Sequence, residues 1–138
     1  NIESTLVILN TKLKDRIEVV KDFASDFPSV SCNVGQINQV FMNLISNAAD
    51  AIEGKGTIHI KLWQVESLVK ISIADSGKGM SEEVKGRIFE PFFTTKDVGA
   101  GTGLGLSISH GIIEKHKGAL TVNSAEGKGS VFIISLPV

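Results

Sequence analysis

Apolar residues recur at helical spacing through Ile37, Val40, Phe41, Leu44, Ile45, Ala48, Ala51 and Ile52, which predicts a helix over about 35–52 packed on a core. It stops at the glycine-rich turn Glu53-Gly54-Lys55-Gly56. An earlier segment, 2–13, carries Ile2, Leu6, Leu9 and Leu13 on one side and also reads as a helix. Between them, Arg16 to Phe23 is rich in β-branched residues and reads as a strand that ends near Asp26-Phe27-Pro28. Thr57–Val65 and Leu68–Ala74 alternate apolar and polar positions, as an antiparallel hairpin through Glu66-Ser67 does. Ser81 opens a short helix over 82–87, with Glu82 and Glu83 in its first turn. A loop over 94–103 leads into a helix over 104–116. Strands near 119–124 and 130–136, joined by Glu126-Gly-Lys-Gly129, close the chain. The order predicts an α+β two-layer sandwich: a mixed, mostly antiparallel sheet of about five strands, covered on one face by about three helices.

The chain's 138 residues suit one domain over 1–138 with a sizeable core. A net charge of −1 excludes a dominant basic footprint for nucleic acid or anionic membrane. Cys32 is the only cysteine, so no internal disulfide or cysteine-cluster zinc site exists, and near Val30 it reads as a small core hydrophobe. No apolar run is long enough to span a bilayer. A chain that starts at Asn1 reads as a piece of a longer protein, itself cytoplasmic whatever the anchoring of its parent.

The polar positions that interrupt these patterns carry the candidate chemistry. Asn43 and Asn47 stand four apart inside the long apolar helix, with Gln36 and Asp50 on the same stripe. Asparagine is a poor mid-helix residue, and two amide oxygens one turn apart suit a magnesium ion also held by phosphates and water. A buried polar stripe satisfied by neighbouring backbone explains the same pattern. Asp75-Ser-Gly77-Lys-Gly79-Met80 follows directly on a strand. There an acceptor-only carboxylate can take a hydrogen bond from the exocyclic amine of adenine, whereas guanine presents an oxygen. A plain Asx turn is the simpler alternative. Gly101-Thr102-Gly103-Leu104-Gly105-Leu106 runs into a helix and exposes N–H groups to an anion such as phosphate. It is neither a Walker A loop nor a dinucleotide fingerprint. Between these motifs, Ile88-Phe-Glu-Pro-Phe-Phe93-Thr-Thr95-Lys96 reads as a core plug. It leads into a stretch from Thr94 to Gly101 that glycines would allow to close over a nucleotide, with Lys96 near the terminal phosphates.

In this order the motifs resemble the catalytic ATP-binding domain of sensor histidine kinases, in the superfamily of gyrase, MutL and the ninety-kilodalton heat-shock chaperone. Asn43–Asn47 matches the N box and Asp75–Gly79 the first glycine box. Phe89–Phe93 matches the F box, Gly101–Gly105 the second glycine box, and Gly127–Gly129 the short glycine turn near the end. The resemblance implies ATP and Mg2+ as cofactors, with Asn47 the principal magnesium ligand and Asn43 its helper, and with Asn43 and Lys96 the catalytic residues. It implies Asp75 on adenine, and a nucleotide site that also draws on Asp50, Gly77, Gly79, Met80, Phe93, Thr95, Lys96, Gly101, Thr102, Gly103, Leu104, Gly105, Leu106 and Ser130. Where the chaperone and gyrase branches carry a glutamate, this chain has Asn43, an amide that cannot deprotonate water. That favours phosphoryl transfer to an external acceptor over hydrolysis. The implied partners are a histidine-bearing dimerisation hairpin of the same protein and a response-regulator receiver domain, with the piece itself monomeric. His59, His110 and His116 lack the context of a phosphoacceptor. A superfamily ATPase and a nucleotide-sensing module without transfer activity are the competing readings.

Overall fold

The computed structural model describes residues 16–23, 32–93 and 105–137. The predicted helix over 2–13 lies outside them. Alternation builds the sheet. Along β3 (Leu68–Asp75), Val69, Ile71, Ile73 and Asp75 turn inward, while Leu68, Lys70, Ser72 and Ala74 turn away. Strands β2 (Gly56–Val65), β4 (Ala119–Ser124) and β5 (Ser130–Pro137) share that period of two. With β1 (Ile17–Phe23) they form one five-stranded sheet in the order β1-β2-β3-β5-β4. Only the β1·β2 pair is parallel, with Ile17 opposite Gly56; the other three pairs are antiparallel. The α+β expectation of a mixed, mostly antiparallel sheet under three helices therefore holds.

Among the described residues the helices are α1 (Val34–Ala51), α2 (Glu82–Lys85) and α3 (Gly105–Lys115). The first turn of α1 is capped by Asn33, whose side chain accepts the Gln36 N–H at 3.0 Å. Its apolar stripe of Val40, Leu44, Ile45, Ala48 and Ala49 joins Ile112 and Ile113 of α3 in one cluster with Ile58, Ile60, Ile71, Ile73, Phe132 and Ile134 of the sheet. Truncating a fully buried leucine such as Leu44 typically costs about 2–5 kcal/mol.

Two polar contacts fix how α1 sits. At its end, Arg16 donates to the carbonyls of Ala49, Ile52 and Gly54 at 2.9–3.0 Å, placing a cation where the helix leaves carbonyls unpaired. At its start, the Asn33 N–H donates to His116 Nε2 at 3.0 Å, while His116 Nδ1 lies 2.8 Å from the Ile112 carbonyl. A carbonyl only accepts, so in this arrangement Nδ1 donates to Ile112 while Nε2 accepts from Asn33. With the end of α3 beside the start of α1, the two helices run antiparallel.

Three expectations need correction. Cys32 is exposed, because it precedes the cap of α1 rather than facing the sheet. The segment Ile88–Phe93 is a plug only in part. Ile88 is buried and Phe89 and Phe93 pack against the core, but Phe92 is 73% exposed with φ +67°. The turn after Pro91 swings that ring outward, and helix α2 ends earlier than the predicted 87, at Lys85.

Candidate functional site

Asp75 ends β3 on the helix-covered face, and its position in the alternation, not chance, buries it to 8% exposure. Its Oδ1 accepts the Gly77 N–H at 2.9 Å, and the Ser130 N–H also points to the carboxylate. Burial pushes its pKa above the ordinary carboxylate range, and these two N–H groups only partly counter that. An ionised Asp75 is thus short of donors.

The loop after Asp75 is wedged from both sides. Ser76 pairs with Thr57 of β2 through its N–H and its hydroxyl. The Lys78 N–H donates to the Ala51 carbonyl at the end of α1, 3.0 Å away. A Cβ on Gly77 would lie 2.4 Å from that carbonyl, so only glycine lets loop and helix end touch. On the opposite side, Gly79 has φ +69°, and a Cβ there would meet the Ala125 carbonyl at 1.9 Å. Met80 donates its N–H to Ser124 Oγ at 2.8 Å. Ser124 in turn bonds the Gly129 carbonyl and the Ser130 hydroxyl. The β4–β5 turn, where the resemblance placed a glycine motif, is the buttress of the Asp75 loop. Ser130 belongs to it, 5% exposed and hydroxyl-bonded to Ser124.

Along α1, Asn43 and Asn47 are half-buried one turn apart and Asp50 is exposed further along that stripe. Asn43 is engaged by α3: its Nδ2 donates to the Gly105 carbonyl at 3.1 Å and to Ser109 Oγ at 3.0 Å. The amide nitrogen faces α3, so Oδ1 is the end turned away from it. Ser109 is fully buried and was not singled out by sequence reasoning. Its one signal is a polar residue four after Gly105 on a helix face that also carries Ile112 and Ile113. Ser124 and Arg16, likewise missed, carry no local signal for their contacts with Met80 and Ala49, which lie 44 and 33 positions away.

Of the remaining expected site residues, Gly105 opens α3 and Leu106 packs against the core. Phe93 is half-buried with the Arg87 guanidinium 4.6 Å over its ring. Thr95, Lys96, Gly101, Thr102, Gly103 and Leu104 lie outside the described residues. His110 stacks on Phe89, ring centroids 4.7 Å apart, with Nδ1 3.1 Å from Glu114; His59 is exposed on β2.

Residues 32–138 match the family described as histidine kinase-, DNA gyrase B-, and HSP90-like ATPase. The chain belongs to that family. Sporulation kinase E of Bacillus subtilis is 40% identical over 139 residues, covering 99% of this chain and 19% of that kinase. This ATPase-family domain thus spans about a fifth of the curated relative it matches. Among solved structures, the catalytic domain of histidine kinase ThkA superposes with TM-score 0.87 at 36% identity, over 99% of this chain and 89% of that one. ThkA in complex with response regulator protein TrrA superposes at 0.82 and 33% identity, covering 99% of this chain and 39% of that one. The histidine-kinase resemblance and the fold it implied are therefore correct, and an ATP-binding kinase domain is the family setting of the site.

The donor set also bears on magnesium. Among the described residues no group of three or more His, Cys, Asp or Glu side chains could cage a metal. The oxygen-bearing ends of Asn43 and Asn47 fit a hard cation that takes most of its ligands from phosphates and water.

Proposed function

We propose that this domain binds Mg-ATP between α1 and the glycine-bearing stretch that leads into α3, and passes its γ-phosphoryl group to a histidine on a separate dimerisation hairpin of the same kinase, for relay to a response-regulator receiver domain. One observation carries the choice among family activities: the residue facing α3 at mid-α1 is an amide, Asn43, with its nitrogen committed to Gly105 and Ser109. An amide takes no proton from water, so the site lacks there the base that hydrolysis needs. In transfer, the acceptor imidazole nitrogen attacks the γ-phosphorus as its bond to the β–γ bridging oxygen breaks, and ADP leaves.

Each residue has a role. Asp75, buried and short of donors, accepts from the exocyclic amine of adenine, and Gly77, Gly79, Met80 and Ser130 shape the floor around it. Asn47, with Asn43 as its helper, would hold the magnesium ion, which would supply neutralisation of the phosphate charge, and Asp50 on the same stripe belongs to the nucleotide site. Gly105 and Leu106 at the start of α3, preceded by Gly101–Leu104, cradle the phosphates. Phe93, Thr95 and Lys96 border the site, Lys96 as a countercharge to the terminal phosphates. No described helix is long and apolar enough to cross a membrane. The domain acts as a monomeric, cytoplasmic portion of its kinase, without nucleic acid as a partner.

Radiolabelled ATP tests this. The chain alone stays unlabelled, since His110 and His116 are held in packing contacts and His59 lies on a strand. With the acceptor hairpin of its kinase supplied, label stable to base and labile to acid appears on the hairpin. Label on the chain itself, or rapid ATP turnover with no labelled hairpin, overturns the proposal in favour of the ATPase reading.

A further inference from the structure

We propose that Ser109 is a positioning residue for the metal-binding end of the site. With the Gly105 carbonyl it holds the Asn43 side-chain amide in one of its two orientations, oxygen outward from α3. The inference rests on the reading that Asn43 and Asn47 serve a magnesium-bound nucleotide, and it adds a residue to that site.

The two ends of an asparagine amide are nearly the same shape and opposite in function. Its oxygen attracts a cation, and its NH2 group repels one. A half-turn about the last side-chain bond exchanges them, so a ligating asparagine needs something that tells the ends apart. On α3 the Gly105 carbonyl can only accept, which selects the nitrogen end at 3.1 Å. The Ser109 hydroxyl engages the same nitrogen at 3.0 Å and takes its second hydrogen. Both amide hydrogens are then used on α3, and a flipped amide would set its oxygen against the Gly105 carbonyl. Ser109 is 0% exposed on a helix face that also buries Ile112 and Ile113, where an apolar residue would fill the space as well. A hydroxyl buried there needs a reason, and the Asn43 amide is the partner it meets.

Losing one neutral hydrogen bond corresponds to about a two- to tenfold change in an equilibrium. Ser109→Ala is therefore expected to reduce by that factor the gain in affinity for a non-hydrolysable ATP analogue that magnesium brings. Magnesium-free affinity stays within about twofold of wild type, since it does not use the oriented amide oxygen. Ser109→Thr and Ser109→Val separate hydroxyl from packing, because their side chains match in shape and differ only in the hydroxyl. The valine variant should lose the magnesium gain relative to the threonine variant. Nuclear magnetic resonance gives a second readout. In the wild type the Asn43 side-chain NH2 protons should exchange slowly with solvent, and in Ser109→Ala faster.

Equal magnesium gain in Ser109→Thr and Ser109→Val, or equal losses with and without magnesium, overturns the proposal. If the wild type shows no magnesium gain, the nucleotide reading beneath it fails. Exchange at the Asn43 amide then still decides the orientation: slow exchange that Ser109→Ala abolishes supports the clamp, and fast exchange in the wild type refutes it.

Discussion

Replacing Asn43 with aspartate tests whether the orientation of its amide is fixed by α3. The change keeps the shape and turns the NH2 group into an oxygen facing the Gly105 carbonyl and Ser109 Oγ. Serine can adapt, because its hydroxyl can rotate to donate to the new carboxylate. The Gly105 carbonyl cannot, so one hydrogen bond is lost and two acceptors stand opposed about 3 Å apart. An acceptor left unpaired costs about 1–3 kcal/mol, and the half-buried position places this case near the middle of that range. Urea unfolding followed by Trp63 fluorescence reads it as a midpoint lowered by about 1 M, for the usual slope of about 1–3 kcal/mol per molar. The pH dependence has a definite sign. A protonated carboxyl can donate to the Gly105 carbonyl, so the folded state raises the introduced group's pKa above its unfolded value. The deficit is then complete above that raised pKa and shrinks as pH falls through it towards about 4. A variant as stable as wild type at pH 7, or a deficit that grows on acidification, would refute the reasoning.

Four further outcomes follow from other parts of the site. Asp75→Asn should weaken ATP binding about 10- to 150-fold by calorimetry, the loss of one hydrogen bond to a charged group. Because burial raises the Asp75 pKa, ionising it costs the ligand-free domain stability as pH rises from the unfolded carboxylate range to that raised value. The wild type should therefore lose stability relative to Asp75→Asn over that interval in urea midpoints, and a difference independent of pH would contradict it. Asn47→Ala should abolish most of the magnesium dependence of ATP affinity, and a magnesium gain as large as that of the wild type would remove Asn47 from the site. Gly79→Ala forces a Cβ to 1.9 Å from the Ala125 carbonyl at φ +69°, so its melting temperature should fall by several degrees, and an unchanged value would show that the loop is not wedged as described.

What was legible in the chain was what one element decides alone. The period of Val69, Ile71 and Ile73 and the helical spacing of Val40, Leu44 and Ile45 named the strand, the helix and their buried faces, because burial on one side imposes those periods. The motif order placed Asp75, Asn43 and Asn47 at an element's end or on a polar stripe, where they stand in the structure. The parallel pairing of β1 with β2 was hidden, since nothing local in Ile17–Phe23 names its neighbour. Cys32 and Phe92 misled because apolar side chains usually turn inward, whereas a helix cap and a left-handed turn turned these outward. Ser109, Ser124 and Arg16 escaped notice because each acts on a partner distant in sequence. Ser109 makes the cost clear: as a letter in Ser107-Ile-Ser109-His it is unremarkable, and only the approach of α3 to α1 gives its hydroxyl a role.

The central claim is an adenine-selective, magnesium-assisted nucleotide site between α1 and the stretch that leads into α3. Calorimetric titration of the chain with ATP and with GTP, each with and without magnesium, tests it most directly. The account predicts that ATP binds, that magnesium strengthens its binding, and that GTP binds far more weakly in either condition. Equal affinities for ATP and GTP, or no binding of ATP with magnesium present, would contradict it.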